Sequence, residues 1–339
     1  MDIREKTILT GVKPTGRLHI GNYVGAIRPA IDMGHEINKK GGTHVMFIAD
    51  YHSLNFLKDP AALAQAIREI ACVYLAGGLD PGKSLFYRQS DVPELFELAT
   101  ILMAFTPKGY MNKAHAYKAA VDKNTARGDP VDAGINMGLY TYPVLMAADI
   151  LAYDTDIVPV GKDQVQHVEM AADIAGFVNA QYGKEVLKKP VPSLVENAAL
   201  VPGTDGRKMS KSYGNVIPLF GTDAEVQKAV MSIKTDSQPL AASKNPDDVL
   251  LYQIARGVCT PAVADDIKAG LEKGGVGYGA MKKMILADIH AQTDVMRDRF
   301  NDFMAHPGEI EEKLAAGAAK ARAMVGPVLK RLKETIFGG

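Results

Sequence analysis

Lys208 and Lys211 stand with Ser210 and Ser212 in the stretch Gly206-Arg207-Lys208-Met209-Ser210-Lys211-Ser212, which follows Pro202-Gly203 and has no apolar periodicity. Two cations and two hydroxyls on such a loop suit a leaving pyrophosphate, because charge developing near the α–β bridging oxygen must be met by positioned cations. A solvated basic loop is the plain alternative. A second stretch, Gly11-Val12-Lys13-Pro14-Thr15-Gly16-Arg17-Leu18-His19-Ile20-Gly21-Asn22, follows an apolar run. Its three glycines let backbone approach a base or a phosphate without a Cβ in the way, and a helix opening near Gly21 offers free amides to anions. His19 and Asn22 add side-chain donors. Taken alone, the stretch reads equally well as a Gly/Pro-rich strand-to-helix turn. A third pattern, Gly77-Gly78-Leu79-Asp80-Pro81-Gly82-Lys83-Ser84, satisfies G-x-x-x-x-G-K-[ST] in the wrong context. A phosphate loop leaves a strand and opens a helix, whereas here a helix ends at the glycine pair and a strand begins at Ser84. A helix C-cap followed by a Pro-Gly turn fits better.

The elements that must position these residues alternate. Apolar runs predict strands over residues 7–12, 43–49, 84–88 and 156–160. Between them fall helices over 60–76, opened by the N-cap and N1 pair Asp59-Pro60, over the almost wholly apolar 138–153, and over 163–180. Such alternation predicts an α/β fold whose parallel sheet is covered on both faces. The glycine-rich stretch then lies at the mouth of the sheet, where α/β folds bind ligands. Beyond about residue 220 only helical patterns remain, among them 249–258 and 281–303. The expected division is a catalytic domain over 1–220 and a smaller all-helical domain over 221–339.

Composition sets the outer bounds. Of 339 residues, 47% are hydrophobic and 23% charged, the profile of an ordinary globular chain. Lys+Arg 39 balance Asp+Glu 39, so any contact with a polyanion must come from a local basic face. Cys72 and Cys259 make neither a disulfide framework nor a cysteine metal site. No apolar run approaches a membrane span and the start lacks an apolar signal core, so a cytoplasmic location is expected.

Together, His19-Ile20-Gly21-Asn22 and Lys208-Met209-Ser210-Lys211-Ser212 resemble the HIGH and KMSKS signatures of class I aminoacyl-tRNA synthetases. Asn22 in the last place is similar to the tryptophanyl-tRNA synthetases in particular. Three further segments sharpen that resemblance: residues 141–151, Val158-Pro159-Val160-Gly161-Lys162-Asp163-Gln164, and Gln166-His167-Val168-Glu169. The resemblance implies a Rossmann-like catalytic domain that activates L-tryptophan with ATP, releases pyrophosphate and loads tRNA(Trp). It also implies a homodimer with tRNA crossing between subunits, and Mg²⁺ carried by the nucleotide with no resident metal site.

Carried over by position, the family pattern puts Asp149 on the indole N–H, with Met146, Tyr142 and His52 around the amino acid. A carboxylate in an apolar helix is costly unless partnered, and such a group rejects analogues that lack the donor; an internal hydrogen bond or ion pair is the plainer reading. ATP would be lined by Lys13, Pro14, Thr15, Gly21 and Asn22, with Gly161, Lys162 and Asp163 at the ribose and backbone near Val201 at the adenine. His19, Asn22, Lys208 and Lys211 would be catalytic, with Met209, Ser210 and Ser212 completing the loop at the triphosphate. The chain departs from better-known relatives at Lys13 and at Ala116, each in place of a glutamine. It also departs over 113–134, a longer stretch carrying Lys118, Lys123 and Arg127. Lys320, Arg322, Lys330, Arg331 and Lys333 are candidates for anticodon contact, or simply the charged outer face of a packed helix. A tyrosyl-tRNA synthetase and a catalytically silent paralogue are the rival readings.

Overall fold

The structure, a computed structural model, describes residues 3–14, 16–194 and 201–338; Thr15 and the side chain of Asp163 lie outside the described residues. The chain runs β1 (Thr7–Val12), α1 (Ile20–Asn22), a π turn (Tyr23–Ile27), α2 (Arg28–Lys39), β2 (Thr43–Ile48), α3 (Asp50–Ser53), α4 (Pro60–Ala76) and β3 (Leu85–Arg88). Then follow α5 (Glu94–Phe105), α6 (Lys108–Met111), α7 (His115–Arg127), α8 (Met137–Leu151), β4 (Ile157–Val160), α9 (Val165–Tyr182) and β5 (Val191–Leu194). The remainder is helical: α10 (Asp223–Met231), α11 (Leu250–Val258), α12 (Pro261–Lys273), α13 (Tyr278–Ala305) and α14 (Pro307–Phe337).

The described strands form one parallel sheet in the order β3-β2-β1-β4-β5. From β1 the chain builds outward to β2 and β3, then returns to lay β4 and β5 on the other side. Strand order therefore reverses between β1 and β4, and their carboxyl ends part into a crevice. Alternation along the strands feeds two cores. Val45, Phe47, Leu85 and Tyr87 face one layer of helices, while Met46, Ile48 and Phe86 face the other. The expected strands and helices are present within a few residues. The strand β5 was not legible in the sequence: four residues containing Pro192 at a half-exposed sheet edge carry almost no pattern.

The helices after residue 220 share their core with the sheet. Val226, Ile254, Ile285 and Leu314 belong to the same cluster as Met46 and Phe86. The long α14 returns across β3, where Gly317 sits so close to the Phe86 carbonyl that a Cβ would collide with it. Ion pairs fasten that helix to the sheet side: Arg88–Glu311 at 3.1 Å, Arg322–Glu94 at 2.8 Å, Arg331–Asp154 at 2.6 Å and Lys333–Glu97 at 2.8 Å. Arg322, Arg331 and Lys333 are thus engaged within the chain, which favours the packed-helix reading of these three. Among the described residues no helix is long and apolar enough to cross a membrane.

The pattern at 77–84 is a turn. Leu79 N–H closes on the Tyr74 carbonyl at 2.9 Å, the Asp80 carboxylate accepts Gly82 N–H at 2.9 Å, and Ser84 Oγ is buried against His44 at 3.0 Å.

Candidate active site

A cavity of about 1150 Å³ occupies the crevice between the carboxyl ends of β1 and β4. Leu9, Gly11 and Lys13 from β1 and the turn after it form one wall, and Val158, Val160 and Gly161 from β4 form the opposite one. Gly25, Ala26 and Pro29 border it from the π turn and the start of α2, where small side chains leave room beside the helix. Such π turns recur at functional sites.

One end is apolar with a buried carboxylate. Tyr142, Met146 and Asp149 recur at helical spacing along α8, so all three fall on the face that lines the cavity. Asp149 is 0% exposed. Its Oδ2 lies 2.9 Å from His52 Nε2, and Gln89 Nε2 donates to both carboxylate oxygens at 2.8 and 2.9 Å. Burial pushes the Asp149 carboxyl up, and the bonds from His52 and Gln89 pull against it. Tyr142 Oη lies 2.6 Å from His167 Nε2, while His167 Nδ1 lies 2.8 Å from Gln164 Oε1. An amide oxygen can only accept, so Nδ1 carries the ring proton and Nε2 accepts from the tyrosine.

A second, smaller cavity of about 570 Å³ lies at the glycine-rich turn, where Arg17, Leu18 and His19 line it together with Lys211. His19 N-caps α1: its Nδ1 accepts Asn22 N–H at 3.3 Å, and Asn22 Oδ1 accepts His19 N–H at 3.2 Å. With Nδ1 used as an acceptor, the ring proton resides on Nε2. Burial, with the Lys211 charge as a second cause, lowers His19 to about 4, so the ring is neutral near pH 7. Lys13 is exposed but stands on the wall of the larger cavity, where partial desolvation lowers it and an arriving anion would compensate.

The loop beyond residue 200 packs onto this turn. Ile20 N–H donates to the Ile217 carbonyl at 2.9 Å, and Leu219 N–H to the Leu18 carbonyl at 3.2 Å. Gly16 has φ +76°, which glycine adopts without strain, and a Cβ there would stand 3.9 Å from Lys211 Nζ. A Cβ on Gly21 would meet Met209 Sδ at 3.3 Å. Asn215 organises the loop from below: its Oδ1 accepts Ser210 N–H at 2.8 Å, and its Nδ2 donates to Asp205 at 2.7 Å and to the Lys208 carbonyl at 3.1 Å. The bond from Asn215, then those from Arg207, hold Asp205 down at about 2.

The structure thus brings His19, Gly21, Asn22, Met209 and Lys211 together, and separately His52, Tyr142, Met146 and Asp149. Met209 and Val201 are buried in the core, where they anchor the loop and its approach through their side chains. Pro14 is buried in the turn. Lys162 and Lys208 are exposed and line neither described cavity. The Ser210 and Ser212 hydroxyls bond one another at 2.9 Å. Lys118, Lys123 and Arg127 are exposed, and it is His115, Ala116 and Ala119 of α7 that border the cavity. Gln89 was missed as a site residue, although a polar residue immediately after a buried strand of a parallel sheet is a signal worth reading.

The family model for "tRNA synthetases class I (W and Y)" matches residues 2–289. A tryptophan–tRNA ligase of Bordetella parapertussis is 46% identical over 330 residues, 97% of this chain and 72% of that one. One from Neisseria meningitidis serogroup A is 45% identical over 334 residues, 98% of each chain. A solved tryptophanyl-tRNA synthetase from Campylobacter jejuni, described as complexed with ADP and tryptophan, superimposes with a TM-score of 0.85 at 41% identity, covering 98% of this chain and 99% of that one. The sheet with its switch-point cleft, the paired signature segments and these similarities lead to one assignment: the chain belongs to the class I tRNA synthetases of the tryptophan and tyrosine family.

Proposed function

We propose that this chain is a tryptophan–tRNA ligase: it activates L-tryptophan with ATP and transfers the aminoacyl group to tRNA(Trp). The observation that carries the reading is Asp149, a fully buried carboxylate on the wall of the cleft, whose opposite wall carries Gly11 and Lys13 of the turn that leads into the first signature segment. An indole N–H satisfies such an acceptor, and a side chain without that donor leaves it unpaired, a difference worth about 10⁴-fold or more in discrimination. The Campylobacter jejuni relative, described with ADP and tryptophan, supports the same pair of substrates.

In the mechanism, a tryptophan carboxylate oxygen attacks the α-phosphorus in line; the new O–P bond forms as the bond to the α–β bridging oxygen breaks, and pyrophosphate leaves. A terminal ribose hydroxyl of the tRNA then attacks the adenylate carbonyl and displaces AMP. No protein nucleophile is needed. Met146 and Tyr142 shape the indole pocket, and His52, which lines the same cavity, supports Asp149 through Oδ2. His19 donates from Nε2 toward the phosphates, Asn22 donates beside it, and Lys13, Lys211 and Lys208 supply positive charge to the triphosphate and the leaving group. Lys208 is exposed, so loop closure would bring it in. Magnesium enters with ATP as part of the substrate. Gly161 with Lys162 and Asp163 would hold the ribose, and backbone at Val201 the adenine.

The division at residue 220, with the later helices facing tRNA, and a homodimeric assembly complete the reading. Exposed Tyr51, Leu54 and Phe56, together with Met103, seven residues beyond the Phe96 that packs on Tyr51 at 4.3 Å, supply an apolar face for a second copy. Two unbridged cysteines, Cys72 and Cys259, suit a cytoplasmic location.

ATP–pyrophosphate exchange tests the reading. We expect exchange driven by tryptophan; exchange driven by tyrosine would overturn the substrate, and no exchange with any amino acid would mark a non-catalytic paralogue.

A further inference from the structure

Asp149 cannot act as a recognition group unless something fixes its orientation and supports its charge. A carboxylate offers roughly four lone-pair sites. Oδ2 accepts from His52 and from Gln89, whereas Oδ1 accepts from Gln89 alone at 2.8 Å. The amide of Gln89 therefore straddles the carboxylate, and Oδ1 keeps the larger remaining capacity to accept. Gln89 is itself 0% exposed, and its Oε1 has no hydrogen-bond partner. A buried amide that spends its N–H₂ on one carboxylate while its oxygen goes unmatched has no obvious value to the fold alone. It stands at the carboxyl end of β3, next in sequence to Arg88, which is pinned by Asp91 and by Glu311 of α14 at 3.1 Å each. The donor is thus carried on a fixed backbone.

We propose that Gln89 is a positioning residue for amino-acid selection: by donating to both oxygens of Asp149 it locks the carboxylate with Oδ1 presented to the substrate N–H. The proposal rests on reading Asp149 as the indole acceptor. Gln89 does not line the cavity and acts only through Asp149. Without it, His52 alone holds Oδ2 and the carboxylate turns about that bond. The other titratable groups whose charge bears on Asp149 are Asp50, Tyr87 and Tyr153.

The test compares tryptophan with β-(3-benzothienyl)alanine, in which sulfur replaces the indole N–H, by ATP–pyrophosphate exchange with wild type, Gln89→Met and Gln89→Glu. Wild type is expected to prefer tryptophan by about 10⁴-fold or more. Gln89→Met, close in shape but without donors, should raise KM for tryptophan by about tenfold or more while leaving KM for the analogue and for ATP unchanged, so the preference falls by the same factor. Gln89→Glu should be poor with tryptophan at pH 8 and recover toward pH 6, because a carboxylic acid pair sharing one proton restores a donor to Asp149. Equal losses with both amino acids, an unchanged preference in Gln89→Met, or no acid recovery in Gln89→Glu would overturn the proposal. If wild type does not distinguish the two amino acids, the assignment of Asp149 to the indole fails, which is a separate outcome. Should Gln89→Met not fold, the pH response of Gln89→Glu relative to wild type decides alone.

Discussion

His19 illustrates how much a single side chain is constrained here. It caps α1 through Nδ1, which forces the proton to Nε2, and burial lowers it to about 4. It is therefore a neutral donor rather than a cation at working pH, and the positive charge comes from Lys211 and Lys13. We expect His19→Ala to lower kcat for tryptophan-dependent exchange by about 10²–10³-fold with little change in KM, as for loss of a donor that acts in the transition state. Between about pH 5 and pH 9 the wild-type rate should show no ionisation assignable to His19. A kcat limb near the ordinary histidine value that vanishes in His19→Ala would contradict this. The type of residue was legible from the signature segment, but its tautomer and charge were not, because both depend on how α1 is capped and covered.

At the scale of elements, the serine-lysine loop owes its shape to Asn215 more than to the lysines. That one amide, 2% exposed, accepts from Ser210 and donates to Asp205 and to the Lys208 carbonyl. Removing it strips three bonds from a segment with little apolar content. We expect Asn215→Ala to lower kcat by about tenfold or more and to speed amide hydrogen exchange over residues 203–215, while the melting temperature falls by only a few degrees. Hydrogen exchange followed by mass spectrometry checks the local effect; unchanged exchange there would show that the lysines hold the loop without it. In sequence Asn215 is a polar residue after Gly214 like many others, and only its position under the loop gives it that task.

At the scale of the molecule, α14 closes the structure by returning from the last helices to β3, so the helical half and the sheet share a core and we expect them to unfold together. Acid should act on this shared core. His44 is 0% exposed and burial lowers it to about 4, as for His19. The fold favours the neutral rings, so their contribution is whole above about pH 6.5, the ordinary histidine value, and is lost as pH falls toward 4. Over that interval His44 costs about 1.4 kcal/mol per pH unit, and His19 less because it borders the cleft. Asp149 and Asp50 are both raised by burial and oppose the trend only as pH nears the carboxylate range. We expect urea unfolding midpoints to drop steadily between about pH 6.5 and pH 4.5, and less steeply in His44→Gln. A flat profile across that window would show that neither ring resists protonation in the fold.

The amino-acid sequence by itself determined the elements and the chemistry on offer. Helix α4 was readable to the residue because Asp59-Pro60 and the Gly77-Gly78 pair act locally, and the parallel sheet followed from short apolar runs between helices. The two signature segments were likewise legible, since glycine spacing and paired lysines are local facts. Tertiary structure decided which of those residues meet. It set Lys211 rather than Lys208 against the glycine turn, and paired Arg322, Arg331 and Lys333 with acidic residues elsewhere on the chain's surface. It also joined Gln89 to Asp149 across 60 residues of chain. Pairings at that separation depend on the order of strands and the register of packed helices, and neither is encoded in the neighbourhood of the residues that finally touch.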